Sequence, residues 1–126
     1  MKFRKYILST GREVYAGKDS KNNDKLVEDA KKDDILLHTN APGSPFVNIG
    51  TNPSKKEIEE ASIFCARYSQ DYRDNKRDVT VDIFSRMDMK KDSSMKEGTW
   101  AVKDKESIKV KKSDILKLEK ILHSSK

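Results

Sequence analysis

His38, Ser44 and Cys65 are the side chains whose types suit nucleophilic or acid–base chemistry, and their surroundings limit what they can do. A serine nucleophile needs a histidine oriented by a carboxylate. His38, Ser44 and Asp34 supply the residue types, but nothing places Ser44 on a nucleophile turn. The Gly-x-Gly-x-x-Gly, P-loop and Gly-x-Ser-x-Gly patterns are absent, so no nucleotide-cofactor or hydrolase signature is present. Cys65 is the only cysteine, which excludes an internal disulfide framework and a cysteine-based zinc finger. It falls on the apolar face of a helical segment without an activating neighbour, and is expected to be a small core residue. The carboxylate pairs Asp33-Asp34 and Glu59-Glu60 have the right type for Mg²⁺, yet adjacent residues on a helix do not face one another. No catalytic residue, metal or cofactor is expected. His38 has two readings: a structural histidine bonded to the loop that follows, or a neutral donor and acceptor for a phosphate, sugar or base edge.

These residues must be positioned by short local elements. Arg4 to Leu8 and Glu13 to Ala16 are β-prone runs around the turn Ser9-Thr10-Gly11-Arg12 and predict a hairpin. Asn22 or Asn23 is expected to cap a helix reaching about Lys32, with Leu26, Val27 and Ala30 as its apolar stripe and Asp24 and Glu28 in or near its first turn. Ile35 to His38 and Phe46 to Ile49 read as strands joined by a Pro-Gly turn. Ser54 and Glu57 have capping-box spacing ahead of one helix whose apolar face runs from Ile58 to Tyr72. Val79 to Ser85 alternates as a strand. Thr99 to Lys103 and Ser107 to Lys111 suggest a second hairpin, and Ser113 is expected to cap a final helix with Ile115, Leu118, Ile121 and Leu122 on its stripe. The order predicts an α+β single domain over residues 1–126, a largely antiparallel sheet of five to seven strands with three helices.

Composition narrows the function classes. Hydrophobic residues make 34% and charged residues 38% of the 126-residue chain, against roughly 45–50% and 25% in ordinary soluble domains. Leu, Ile, Val and Phe still number 27, enough for one small core. The longest aliphatic run, Ile35-Leu36-Leu37, is far short of the roughly 20 apolar residues of a membrane span, and the basic N-terminus has no apolar signal region. No membrane association is expected, and the expected compartment is the cytoplasm. The net charge of +6 is unevenly distributed: residues 1–22 hold 6 basic and 2 acidic side chains, residues 23–102 hold 13 and 15, and residues 103–126 hold 8 and 4. Brought together, the two basic ends would form a face that attracts phosphates.

The motifs carry a resemblance. Gly17-Lys18-Asp19, then Asn23-Asp24-x-Leu26, then Asp34 with His38 four positions on, then Pro42-Gly43-Ser44, are followed by Tyr68-Ser69, the strand Val79 to Ile83, and Gly98. In this order and spacing the chain resembles the NFACT-R family, the RNA-binding domain of NFACT proteins, over almost its whole length. The resemblance implies RNA binding. In that family the domain is commonly the C-terminal part of a longer protein of ribosome-associated quality control that binds the large ribosomal subunit and tRNA. This chain, without the other NFACT regions, reads as a stand-alone version. It departs from the family pattern at Leu36, where a Trp usually stands, and at Pro45, where a His often follows Pro-Gly-Ser.

Residues and resemblance together nominate a contact set. Lys18 and Lys21, read as preceding the first helix, would hold phosphates, and Asn22, Asn23, His38 and Ser44 would bond sugars or bases beside Pro42 and Gly43. Lys2, Arg4, Lys109, Lys111 and Lys112 would widen the electrostatic footprint. Tyr15 and Trp100 are the candidates for stacking on bases, against an alternative role as half-buried sheet residues. The expected partner is rRNA or tRNA, with the large ribosomal subunit as its setting. The alternatives are a small RNA-processing enzyme using His38 and Ser44, and a subunit docking on a separately encoded protein.

Overall fold

The hairpin, the capping box and the alternating strand all form where local signals put them. The computed structural model describes residues 2–124; Lys126, counted above in the basic C-terminal end, lies outside the described residues. The elements run β1 (Arg4–Ile7), β2 (Glu13–Ala16), α1 (Ser20–Asp29), β3 (Ile35–Thr39), β4 (Val47–Gly50), α2 (Lys55–Arg67), α3 (Gln70–Asn75), β5 (Val79–Ser85), β6 (Met89–Lys90), β7 (Ala101–Val102), β8 (Glu106–Val110) and α4 (Lys112–Ser124). Six strands make one sheet in the order β1-β2-β4-β3-β5-β8, and β6 and β7 form a small second one. Every pairing is antiparallel. The architecture is the expected α+β domain.

Both faces of the central strands are covered, because their alternate residues feed two cores. Leu37, Val47, Val81 and Val79 point to one side, where Phe64 and Cys65 of α2, Tyr72 of α3 and Ile115 of α4 pack on them. Leu36, Phe46 and Phe84 point to the other, beneath Leu26 and Val27 of α1, Met89 and Val102 of the small sheet, and Trp100 just before β7. This explains why β5 alternates in sequence while Val81, Asp82 and Phe84 are all buried.

Four local expectations are corrected. First, Asp19 caps α1, its carboxylate accepting the Asn22 N–H at 2.8 Å. Asn22 and Asn23 sit inside the first turn, and the helix stops at Asp29 rather than near Lys32, with no acidic residue in that turn. Second, the run from Ile58 to Tyr72 is two helices, which raises the total from three to four. Ser69 Oγ donates to Ala66 O at 2.6 Å and accepts the Tyr72 N–H at 3.2 Å, ending one helix and capping the next. Third, β7 and β8 do not pair: β7 joins β6 and lays Trp100 and Val102 over the second core, while β8 joins the free edge of β5. Fourth, α4 begins one residue before Ser113, where the Asp78 carboxylate accepts the Lys112 N–H at 2.8 Å.

Cys65 is buried in the first core. Burial, aided by the nearby Asp82 charge, outweighs its contacts with Ser44 and Thr39 and pushes the thiol up to about 12. The folded protein is expected to leave a chromogenic disulfide reagent unreacted at pH 8 and to release one equivalent once unfolded in guanidinium. Rapid reaction of the native protein would contradict the packing described.

Candidate nucleic-acid interface

Antiparallel order brings the chemically interesting segments to one end of the sheet. Arg4 pairs with Ala16, Ala16 and Leu37 with Val47, Thr39 with Val81, and Val79 with Val110. The start of β1, the ends of β2, β3 and β8, and the starts of β4 and β5 therefore share one rim. Five strand spacings make it about 24 Å long. β1 and β8, the strands of the two basic ends, stand at its two extremes on opposite sheet edges, while α4 returns across the first core to border Tyr6 of β1. Between the two strands stands the 40–46 loop, with Arg4 and Lys18 on one flank and Lys109 and Lys112 on the other.

The 40–46 loop is held by its own polar groups. Ser44 Oγ accepts the Thr39 N–H at 3.0 Å and donates to Pro45 O at 2.8 Å, while the Gln70 N–H donates to Gly43 O at 2.8 Å. Asn23 Oδ1 accepts the Phe46 N–H at 3.0 Å, and Asn22 Oδ1 accepts the Lys18 N–H at 2.9 Å. Two glycines make this approach possible. A Cβ on Gly17 would overlap Asn23 Oδ1, and one on Gly43, at φ +83°, would lie 2.8 Å from Gln70 Cβ. Gly17, Asn22, Asn23 and Ser44 thus spend their chemistry on shaping the loop, and both asparagines and Ser44 are buried.

His38 sits at the foot of this loop. Its ring is 4.4 Å from Phe46, and Nδ1 donates to Thr39 O at 2.7 Å in the tautomer that this contact selects. Burial lowers its pKa against the opposing pull of the Thr39 carbonyl and Asp82, leaving a neutral ring near neutral pH with Nε2 as an acceptor. Across the pairing, buried Asp82 accepts from Ser107 Oγ at 2.6 Å and Lys105 Nζ at 3.2 Å. Among the described residues no hydrogen bond joins His38 to Ser44.

Three clefts open around the loop. The first, about 530 Å³, lies between the loop and the segment from Glu97 to Val102, with Phe46, Phe84 and Trp100 among its walls and His38, Asp82 and Lys105 as polar groups. The second, about 250 Å³, is lined by Arg4, Lys18, Tyr68 and Arg73, with the Arg4 guanidinium 4.0 Å over the Tyr68 ring. The third, about 600 Å³, holds Lys109, Lys112 and Arg77, with Asp71 and Asp78. Arg77 is paired to Asp71 at 2.9 Å and Arg73 to Asp74 at 3.3 Å, so part of this charge is already answered. Exposed Lys2, Lys21 and Lys111 line none of the three, and Lys21 lies within the first turn of α1 rather than before it. Of the two aromatic residues nominated for stacking, Trp100 lines a cleft and Tyr15 does not.

Arg73, Arg77, Tyr68 and Lys105 were not nominated by sequence. The first two reach the rim only because Ser69 breaks the helix and turns α3 toward it. Lys105 arrives through the pairing of β8 with β5. No group of three or more metal-ligating side chains is present among the described residues.

The family model for the NFACT protein RNA binding domain matches residues 2–104. The chain belongs to this family. The NFACT-R match takes in the first two clefts apart from Lys105, and it ends before β8 and α4, which supply Lys109 and Lys112. The fold is also that of the C-terminal part of the fibronectin/fibrinogen-binding protein from Streptococcus suis, at a TM-score of 0.80 and 22% identity. That likeness covers 93% of this chain and 49% of the solved chain, so the NFACT-R chain spans about half of that neighbour's length. No curated protein matches.

One carboxylate ties the NFACT-R cleft together. Asp24 Oδ1 accepts from Lys91 Nζ, the Gly98 N–H and Trp100 Nε1, at 3.0, 3.0 and 2.9 Å, and Lys91 also donates to Lys96 O and Thr99 O. Burial works to raise the Asp24 pKa, but the Gly98, Lys91 and Trp100 bonds outweigh it and hold the group below its ordinary value. The stabilisation is therefore present above about pH 4 and lost as pH falls through the depressed folded value. Asp24→Asn is expected to cost about 2 kcal/mol at neutral pH, to speed exchange of the Gly98 amide, and to flatten the loss of thermal stability on acidification. An unchanged midpoint at pH 7 would show that Asp24 does not hold the segment.

Proposed function

We propose that this NFACT-R domain binds structured RNA, rRNA or tRNA, at the large subunit of cytoplasmic ribosomes in connection with ribosome-associated quality control, and that it does so without catalysing a reaction. The observation that carries the reading is the basic rim: Arg4 and Lys18 on one flank of the 40–46 loop, Lys109 and Lys112 on the other. A rim of about 24 Å is long enough to meet several phosphates. Family membership supplies RNA as the polyanion. His38 and Ser44 direct their bonds to the loop backbone instead of to each other, and the buried thiol is held protonated; these features favour a binding role over a hydrolytic one.

The test is equilibrium binding of tRNA and of isolated large subunits over a salt series. Log affinity should fall against log salt with a slope of roughly 0.7 to 0.9 per phosphate met. Each double variant, Lys18→Ala with Lys21→Ala and Lys109→Ala with Lys112→Ala, should weaken binding and reduce that slope by about 2. Negligible affinity at low salt, or wild-type affinity in both variants, would refute the reading.

A further inference from the structure

The first and second clefts share one wall, made by Ser20, Asn23, Gly43 and Ser44, and differ in chemistry on its two sides. The first is aromatic and close to neutral. Asp82 already has its countercharge in Lys105 at 3.2 Å, and Glu97 lines the mouth, so a phosphate has little reason to enter. The second is small and net cationic, Arg4, Lys18 and Arg73 outnumbering Asp19, whose carboxylate is engaged in capping α1. Lys18 has no side-chain partner among the described residues, and Arg4 rests on the Tyr68 ring, leaving its N–H groups open to an anion.

We infer that the first cleft takes a single unpaired base of an RNA strand, stacked on Trp100, while the backbone beside that base crosses the wall and lays its phosphate on Arg4 and Lys18. The inference rests on the RNA-binding reading above and adds which part of the RNA is held. A paired base cannot reach such a cleft, because its faces are stacked and its edges are engaged; a base in a loop, bulge or single strand can be splayed out.

Trp100 is prepared for this role. Its Nε1 is fixed by Asp24 at 2.9 Å, and the Arg86 guanidinium and Lys91 ammonium lie 5.0 and 5.3 Å from its ring centroids. Arg86 is itself anchored through Nε to Val27 O at 2.7 Å. A ring held this way loses little freedom when a base stacks on it. His38 Nε2, without a partner among the described residues, provides an acceptor for a base N–H, and Lys105, half exposed, stands at the mouth. The volume of about 530 Å³ lies within the range of clefts that bind small molecules.

Trp100 is the chain's only tryptophan, so intrinsic fluorescence reports on this cleft without any substitution. The full chain is titrated with an unstructured oligoribonucleotide of about twelve nucleotides, and with the same strand annealed into a duplex. The expected result is saturable quenching by the single strand, little quenching by the duplex, and at least about tenfold tighter binding of the single strand. Trp100→Ala should weaken single-strand binding by about 5- to 150-fold and leave duplex affinity within about twofold, whereas Trp100→Phe should keep most of it. If Trp100→Ala fails to fold, the wild-type emission decides. RNA binding with equal affinity for both forms and unchanged emission would overturn the inference and leave the RNA-binding reading intact. Absence of binding to either form at low salt would overturn both.

Discussion

The buried carboxamide of Asn23 is the contact on which the arrangement of the interface depends. It projects from the first turn of α1, takes the Phe46 N–H at 3.0 Å, and fills the space that a side chain on Gly17 would need. One residue thus fixes the end of β2, the start of α1 and the 40–46 loop relative to one another. A buried amide left unbonded would cost on the order of 1–3 kcal/mol, which restricts this junction to conformations in which Asn23 is satisfied. The clefts on either side of the shared wall inherit their spacing from it.

The second constraint is that the central strands β3 and β5 are covered on both faces. Because α1 and the β6–β7 pair cover the side opposite α2 and α4, His38 of β3 and Asp82 of β5 are enclosed on that side. His38, Asp82 and Ser107 consequently form a row that runs from half-buried through buried to exposed. Enclosure depresses the His38 pKa, and it requires Asp82 to be matched by Ser107 and Lys105. The row leads into the aromatic cleft, while the unmatched cations stay on the rim. This separation of neutral and charged surfaces is what distinguishes the two halves of the site.

Much of the frame was legible in the sequence because its signals are local. Ser54 and Glu57 form the capping box that their spacing predicts, β5 spans Val79–Ser85 as its alternation implies, and the N-terminal hairpin closes around the turn at Gly11. What sequence could not show depends on distant partners. Ser69 splits a helix whose apolar periodicity runs unbroken past it. Trp100 and Val102 leave the expected hairpin because the second core needs a cover. Asn22 and Asn23, polar residues that suggested ligand contact, are buried because the backbone of neighbouring loops satisfies them. The basic ends were legible as charge; the placement of their strands, β1 and β8, at opposite extremes of one rim follows from strand order, which no local pattern encodes.

The central claim, that one end of the sheet is the RNA-binding face, is tested most directly by amide chemical shifts of labelled protein titrated with RNA. The account predicts shifts at Lys18, Gly43, Gly98 and Lys109, with Thr51, Asn52 and Ser85 at the opposite end of the sheet unmoved. Shifts centred on Thr51, Asn52 and Ser85, with the rim silent, would contradict it.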